Sequence, residues 1–197
     1  MEIIGVVGGI ASGKSHVAQI LERLGARRID GDQLGHQILD ASEVQRQLTE
    51  RWGDSVVVDG KANRRAISEI VFQAPAELKF LEQTTHPRIQ ELIEEEIGRA
   101  RQTGENVVIV DAAVMLKAQW AEHCDQILFV DAPRELRQTR ALKRGWTHEQ
   151  FKAREAAQLP VEQKRQLADL VINNSGTLEE TFDQVKRLWD VQLNVSS

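Results

Sequence analysis

The sequence predicts an α/β domain with a doubly wound parallel sheet. Three observations carry that expectation. Short continuous runs rich in Val and Ile recur along the chain, as suits strands buried on both faces. Segments with helical periodicity separate them, as parallel crossovers require. The first run, Ile3–Val7, passes directly into GGIASGKS, Gly8–Ser15, and then into a helical pattern. That pattern, G-x-x-x-x-G-K-[ST], has its mechanism only at such a junction of strand and helix.

Strand one is expected at Glu2–Val7. The helix opening at Lys14 carries Val17, Ile20, Leu21 and Leu24 and stops at Gly25. A short strand, Arg27–Asp30, follows. Two stronger runs, Val107–Asp111 and Ile127–Asp131, end in carboxylates, and a fifth run is Leu170–Asn173. Right-handed crossovers place ligands at the carboxyl ends of such strands, where Gly8, Asp30 and Asp111 fall. About 75 residues separate the second strand from the third, more than one crossover helix needs, so a helical insertion is expected there. Its helical patterns are Gln33–Trp52, Asn63–Phe72 and Ala76–Arg101, the last broken at Pro87. Val56–Val58 followed by Asp59-Gly60 signals a turn.

At 197 residues, 41% hydrophobic and 28% charged, the chain suits one globular domain, 1–197, rather than two independent ones. Its parts are a core of 1–31, 106–133 and 166–197, an insertion at 32–105 and a lid at 134–165. No segment reads as a signal peptide or a spanning helix. The lone cysteine, Cys124, has no partner for an internal disulfide. A cytoplasmic protein is expected, as a monomer or a small homo-oligomer. A net charge of −5 argues against a nucleic-acid polymer or a membrane as partner.

Phosphate chemistry is written at two places. In Gly8–Ser15 the backbone of Gly8, Gly9, Ala11, Ser12 and Gly13 is expected to turn N–H groups onto a phosphate chain, continuing into His16. Lys14 reaches the β- and γ-phosphates and the Ser15 hydroxyl holds Mg²⁺. The competing account is a glycine turn without a ligand. The second place is Arg134–Arg165, with nine basic and four acidic residues, so that the rest of the chain totals −10. Arg137, Arg140 and Arg144 share one helix face, either as a solvated charged surface or as a lid over a triphosphate. With no N-K-x-D base motif, the size and the basic lid fit a small-molecule kinase using ATP.

These residues resemble the dephospho-CoA kinase family, which phosphorylates the ribose 3′-hydroxyl of dephospho-CoA. The resemblance runs through GVVGGIASGKS, IDGDQLGHQIL, WGDSVV, DGKANRRAISEIVF, HPRI, REAAQLPVEQK and ADLVINNSG. It implies a P-loop kinase fold with strand order 2-3-1-4-5, a helical acceptor cap and a lid. It implies ATP and dephospho-CoA as substrates, Mg²⁺ as cofactor, and a place at the end of CoA biosynthesis. Asp32 would orient or deprotonate the attacking hydroxyl, and Asp30 would assist metal-bound water; the alternative makes either a helix cap. Asp111 would serve Mg²⁺ and the acceptor side, or cap a helix. Arg140 resembles an adenine-stacking arginine and Arg144 one that contacts the transferring phosphate, with Arg154 joining from the lid. Arg64 reads equally as a ligand for substrate phosphate or as a surface cation. His86 matches the family, or helps start a helix with Pro87 in its first turn.

The chain also departs from the family's usual pattern. After Asp111 the family runs I-P-L-L-F-E, where this chain has Ala112, Ala113, Val114, Met115, Leu116 and Lys117. Lys117 reverses a charge at that place and bears on acceptor identity. Glu155 and His16 stand where Ile and Thr are usual. A kinase for another nucleotide or small metabolite, and a catalytically silent nucleotide or CoA sensor, are the competing functions.

Overall fold

The computed structural model, which describes residues 1–112, 115, 116, 118 and 120–193, contains the expected sheet. Strand β1 is Glu2–Gly8, followed by α1 (Lys14–Leu24) and β2 (Arg27–Asp30). Helices α2 (Gly31–Leu39) and α3 (Ser42–Trp52) lead to the short strands β3 (Val57–Val58) and β4 (Lys61–Ala62). Next come α4 (Arg64–Gln73), the long α5 (Pro75–Thr103) and β5 (Val107–Asp111). The remainder comprises β6 (Gln126–Asp131), α6 (Arg134–Lys143), α7 (His148–Ala156), α8 (Val161–Gln166), β7 (Leu170–Asn173) and α9 (Leu178–Leu188).

Contacts divide these elements into two compact units, Met1–Asp30 with Glu96–Ser197, and Gly31–Glu95. The first holds a five-stranded sheet of order β2-β5-β1-β6-β7 with every pair parallel. Counted over the core strands alone, this is the expected 2-3-1-4-5. Strand β1 sits at the centre, where burial on both faces selects Ile3, Ile4, Val6 and Val7. Its register sets Val6 beside Asp111 and Gly8 beside Val130, while Asp30 stands beside Asp111. The ends of β1, β2 and β5 therefore meet at one edge. Below them, Val17, Ile20 and Leu21 of α1 pack with Val185 of α9 and Trp189 in the core.

In the second unit, β3 and β4 form a hairpin across Asp59-Gly60, both at positive φ, 51° and 73°. That is the turn an Asp-Gly pair favours. Asn63 caps α4 by accepting from the Ala66 N–H. Trp52 meets Phe80 edge to face at 5.5 Å. Glu77 accepts from Arg51 and from the Trp52 indole, and these bonds, Arg51's first, hold its carboxyl down at about 2.

Two expectations fail here. The single pattern Gln33–Trp52 is two helices, the first starting at Gly31, with a corner at Asp40 and Ala41. The Asp40 carboxylate accepts from the Ala62 N–H and Ala41 is extended, while Leu34, Ile38, Val44 and Leu48 keep near-helical phase across the corner and so disguise it. Nor does Pro87 break α5, and His86 and Pro87 therefore lie inside a helix instead of starting one. Proline removes one N–H, a loss confined to a single bond of a 29-residue helix; nearby, Thr85 Oγ1 donates to the Leu81 carbonyl and Arg88 to that of Thr84. No helix among the described residues is long and apolar enough to cross a membrane.

Helix α9 starts with a complete capping box, in which Thr177 Oγ1 accepts from the Glu180 N–H and Glu180 accepts from the Thr177 N–H. Thr177→Ala is expected to cost about 1 kcal/mol, the usual loss for an N-cap. Urea unfolding should show a lower midpoint with an unchanged slope.

Candidate active site

The loop between β1 and α1 has the form its composition requires. Gly13 takes φ 97° and Ala11 φ 58°, and Ser12 N–H closes onto the Gly9 carbonyl. A Cβ at Gly13 would collide with the Asn174 amide. Helix α1 then starts at Lys14 with no acidic residue in its first turn, which leaves the positive end of its dipole for an anion. The Ser15 side is exposed, whereas Ser12 is buried and its hydroxyl lacks a partner among the described residues. His16 continues the first turn, and its Nε2 is buried without a partner in the same set.

Beside the loop, four charges meet at the strand ends. Lys14 pairs with Asp111 Oδ1. Arg28 on β2 donates to Asp111 Oδ2 at 2.6 Å and to Asp30 Oδ2 at 2.8 Å. Asp111 is only 1% exposed, so its charge depends on these partners. Ser15, Lys14 and Asp111 all belong to the unit that holds the five-stranded sheet.

The basic segment approaches the loop through its main chain. Arg137 is buried; it donates to the Ile10 and Ala132 carbonyls and pairs with Glu155 at 2.8 Å. A Cβ on Gly9 would come within 2.9 Å of its guanidinium. Arg140 donates to the Ser12 carbonyl at 3.1 Å and to the Asn174 carbonyl at 2.8 Å. Burial, and then Arg144, push its pKa down. Lys164, on α8, donates to the Gly8 carbonyl at 3.0 Å and to Gln158. Asn174 donates to Ser12 and is itself held by Thr181. Glu155, unusual for the resembling pattern, also takes Arg134 and so ties α7 to α6.

The other anticipated residues have the following settings. Arg144 is exposed at the end of α6, and Arg154 stacks over Trp146 at 4.6 Å. In the Gly31–Glu95 unit, Asp32 is exposed in the first turn of α2, one residue past the start, and Arg64 opens α4 with Asp40 at 3.9 Å. His86 sits within α5. Ala113 and Lys117 lie outside the described residues. Sequence reasoning misses Arg28, Lys164 and Asn174. A signal exists for Arg28, which lies two residues before Asp30 on a strand and so on the same face.

A parallel sheet of this order, a phosphate cradle at its first turn, a strand-end carboxylate and basic helices clasping the cradle together define a P-loop kinase. The family model described as dephospho-CoA kinase matches residues 2–180, and the chain belongs to that family. A dephospho-CoA kinase of Geobacter sulfurreducens is 36% identical over 192 residues, which cover 96% of this chain and 98% of the relative. A solved structure from Thermus thermophilus is 34% identical with a TM-score of 0.80, covering 100% of this chain and 98% of that one. A dephospho-CoA kinase from Campylobacter jejuni is 25% identical with a TM-score of 0.76, covering 100% of both chains. The enzyme is thus a phosphotransferase that uses ATP.

Lys164 makes a pH prediction. Burial first, then Lys14 and Arg137, push its amine down from 10.5 to about 8. Below pH 8 the folded state carries a buried cation at a cost. Between about 8 and 10.5 the folded state sheds that proton while the unfolded chain keeps it, so this residue's contribution to stability rises with pH. Urea midpoints of wild type and Lys164→Met, measured from pH 7 to 10, should diverge above pH 8 in favour of wild type; parallel curves would refute the depressed pKa.

Proposed function

We propose that the chain transfers the γ-phosphoryl of ATP to the ribose 3′-hydroxyl of dephospho-CoA, giving CoA and ADP, and that it does so in the cytoplasm. The observation that carries the reading is the glycine cradle with Lys14 and Asp111 beside it, clasped by Arg137, Arg140 and Lys164. Loop N–H groups and the α1 N-terminus bind the phosphates, and Lys14 offsets charge on the β- and γ-oxygens as the bond between them breaks. The attacking hydroxyl gives its proton to Asp32 and its oxygen bonds to phosphorus, while the bridging oxygen leaves with ADP. In this reading the Gly31–Glu95 unit is the acceptor cap, with Arg64 and His86 binding substrate. The 134–165 segment is the lid, in which Arg140 stacks on adenine and Arg144 and Arg154 meet phosphate. The lid excludes water, which would otherwise compete as acceptor.

Magnesium fits the donor set. Mg²⁺ binds through few protein oxygens plus substrate phosphates, and the exposed Ser15 with Asp111 provides a hydroxyl and a carboxylate beside the cradle. When bound it neutralises phosphate charge.

The deciding assay couples ADP release to Mg·ATP and dephospho-CoA, with the product checked by mass and with AMP, adenosine and no acceptor alongside. Formation of CoA that depends on the acceptor is expected; ATP binding without it would sink the acceptor assignment. Lys14→Ala should lower kcat/KM roughly 10²- to 10³-fold, as loss of a transition-state clamp does. Asp32→Asn should lower kcat by about 10²-fold or more while ATP affinity, followed by calorimetry, stays within about threefold. An equal loss in both would make Asp32 structural.

A further inference from the structure

Arg28 has no role in the phosphate cradle, yet it occupies the junction between the two strand-end carboxylates. Its side chain is 13% exposed, and one nitrogen, Nη2, donates to both Asp30 Oδ2 and Asp111 Oδ2. Its Nε is buried without a partner among the described residues, so the group is held in place by these two bonds at the cost of a donor. The register explains the geometry. Asp30 stands beside Asp111 across the β2–β5 pair, and Arg28, two positions earlier, projects from the same face of β2 as Asp30.

We propose that Arg28 is a positioning residue that fixes Asp111 and sets the divalent-cation affinity of the site. With Lys14 and Arg28 against Asp30 and Asp111, the group is neutral. Arg28 holds Oδ2 of Asp111 while Lys14 holds Oδ1, so both oxygens of the carboxylate are paired with cations before any nucleotide arrives. A neutral group binds a free divalent ion weakly, so the ion arrives with the nucleotide and not before it. Without Arg28 the surroundings of the Asp111 carboxylate lose one positive charge and one donor, and such hard oxygens are what Mg²⁺ and Mn²⁺ prefer. One unit charge removed a few Å from the ion, at an effective dielectric near 20, alters affinity by roughly tenfold or more.

The inference rests on the assignment of Asp111 to the metal side, and its test is independent of any acceptor. Mn²⁺ is titrated into nucleotide-free protein while the EPR signal of free Mn²⁺ is followed. Arg28→Met should bind at least about tenfold more tightly than wild type. Arg28→Lys, which keeps the charge, should stay within about threefold of wild type, and melting curves of the two report folding separately. Arg28→Met/Asp111→Asn should lose the gain. Equal affinity in wild type and Arg28→Met overturns the inference and leaves the kinase reading standing, as does a gain shared by Arg28→Lys. A gain that survives Asp111→Asn overturns the assignment of Asp111 itself.

Discussion

The phosphate loop can present its N–H groups inward only if its carbonyl oxygens are satisfied on the other side. A peptide has both groups, and turning one set toward a ligand turns much of the other toward protein. Here the carbonyls of Gly8, Ile10 and Ser12 accept from Lys164, Arg137 and Arg140, and Ser12 also accepts from Asn174. Charged donors make stronger bonds than neutral ones, so a loop with two left-handed residues is held firmly. The cations that would complement a triphosphate are thus also the scaffold of the loop that cradles it.

The sheet supplies the remaining constraint. Strand β1 lies between β5 and β6, and its register with β5 brings Asp111 level with Val6, two residues before the loop begins. Lys14, at the far end of the loop, returns to that carboxylate. The loop is therefore bounded by strand pairing on one side and by an ion pair on the other. Within the Gly31–Glu95 unit, Val44, Leu48, Ile67 and Val71 are buried.

Much of this is legible in the amino-acid sequence. Apolar runs locate four of the five core strands to within a residue, the short Arg27–Asp30 strand is also placed, and Asp59-Gly60 announces the hairpin. Composition cannot rank parallel strands, and the strand order follows only from the resemblance. The corner at Asp40 is invisible because apolar phase continues across it, and Pro87 misleads because a 29-residue helix runs through it despite the lost N–H. Residue spacing reveals the arginine face of α6 as a face, but not its main-chain targets. Lys164 and Asn174 bond to carbonyls 156 and 162 residues away, and a bond to main chain at such separation leaves no motif.

That same main-chain targeting bears on how the protein can change over time. A grip on a carbonyl oxygen is blind to the side chain that the residue carries. Ile10 can be exchanged for another residue while Arg137 keeps its hold on the same oxygen. At Gly9 a side chain would press on the guanidinium, which would have to shift. Sequence drift in the loop is thus channelled residue by residue: free of this grip at position 10 and coupled to Arg137 at position 9.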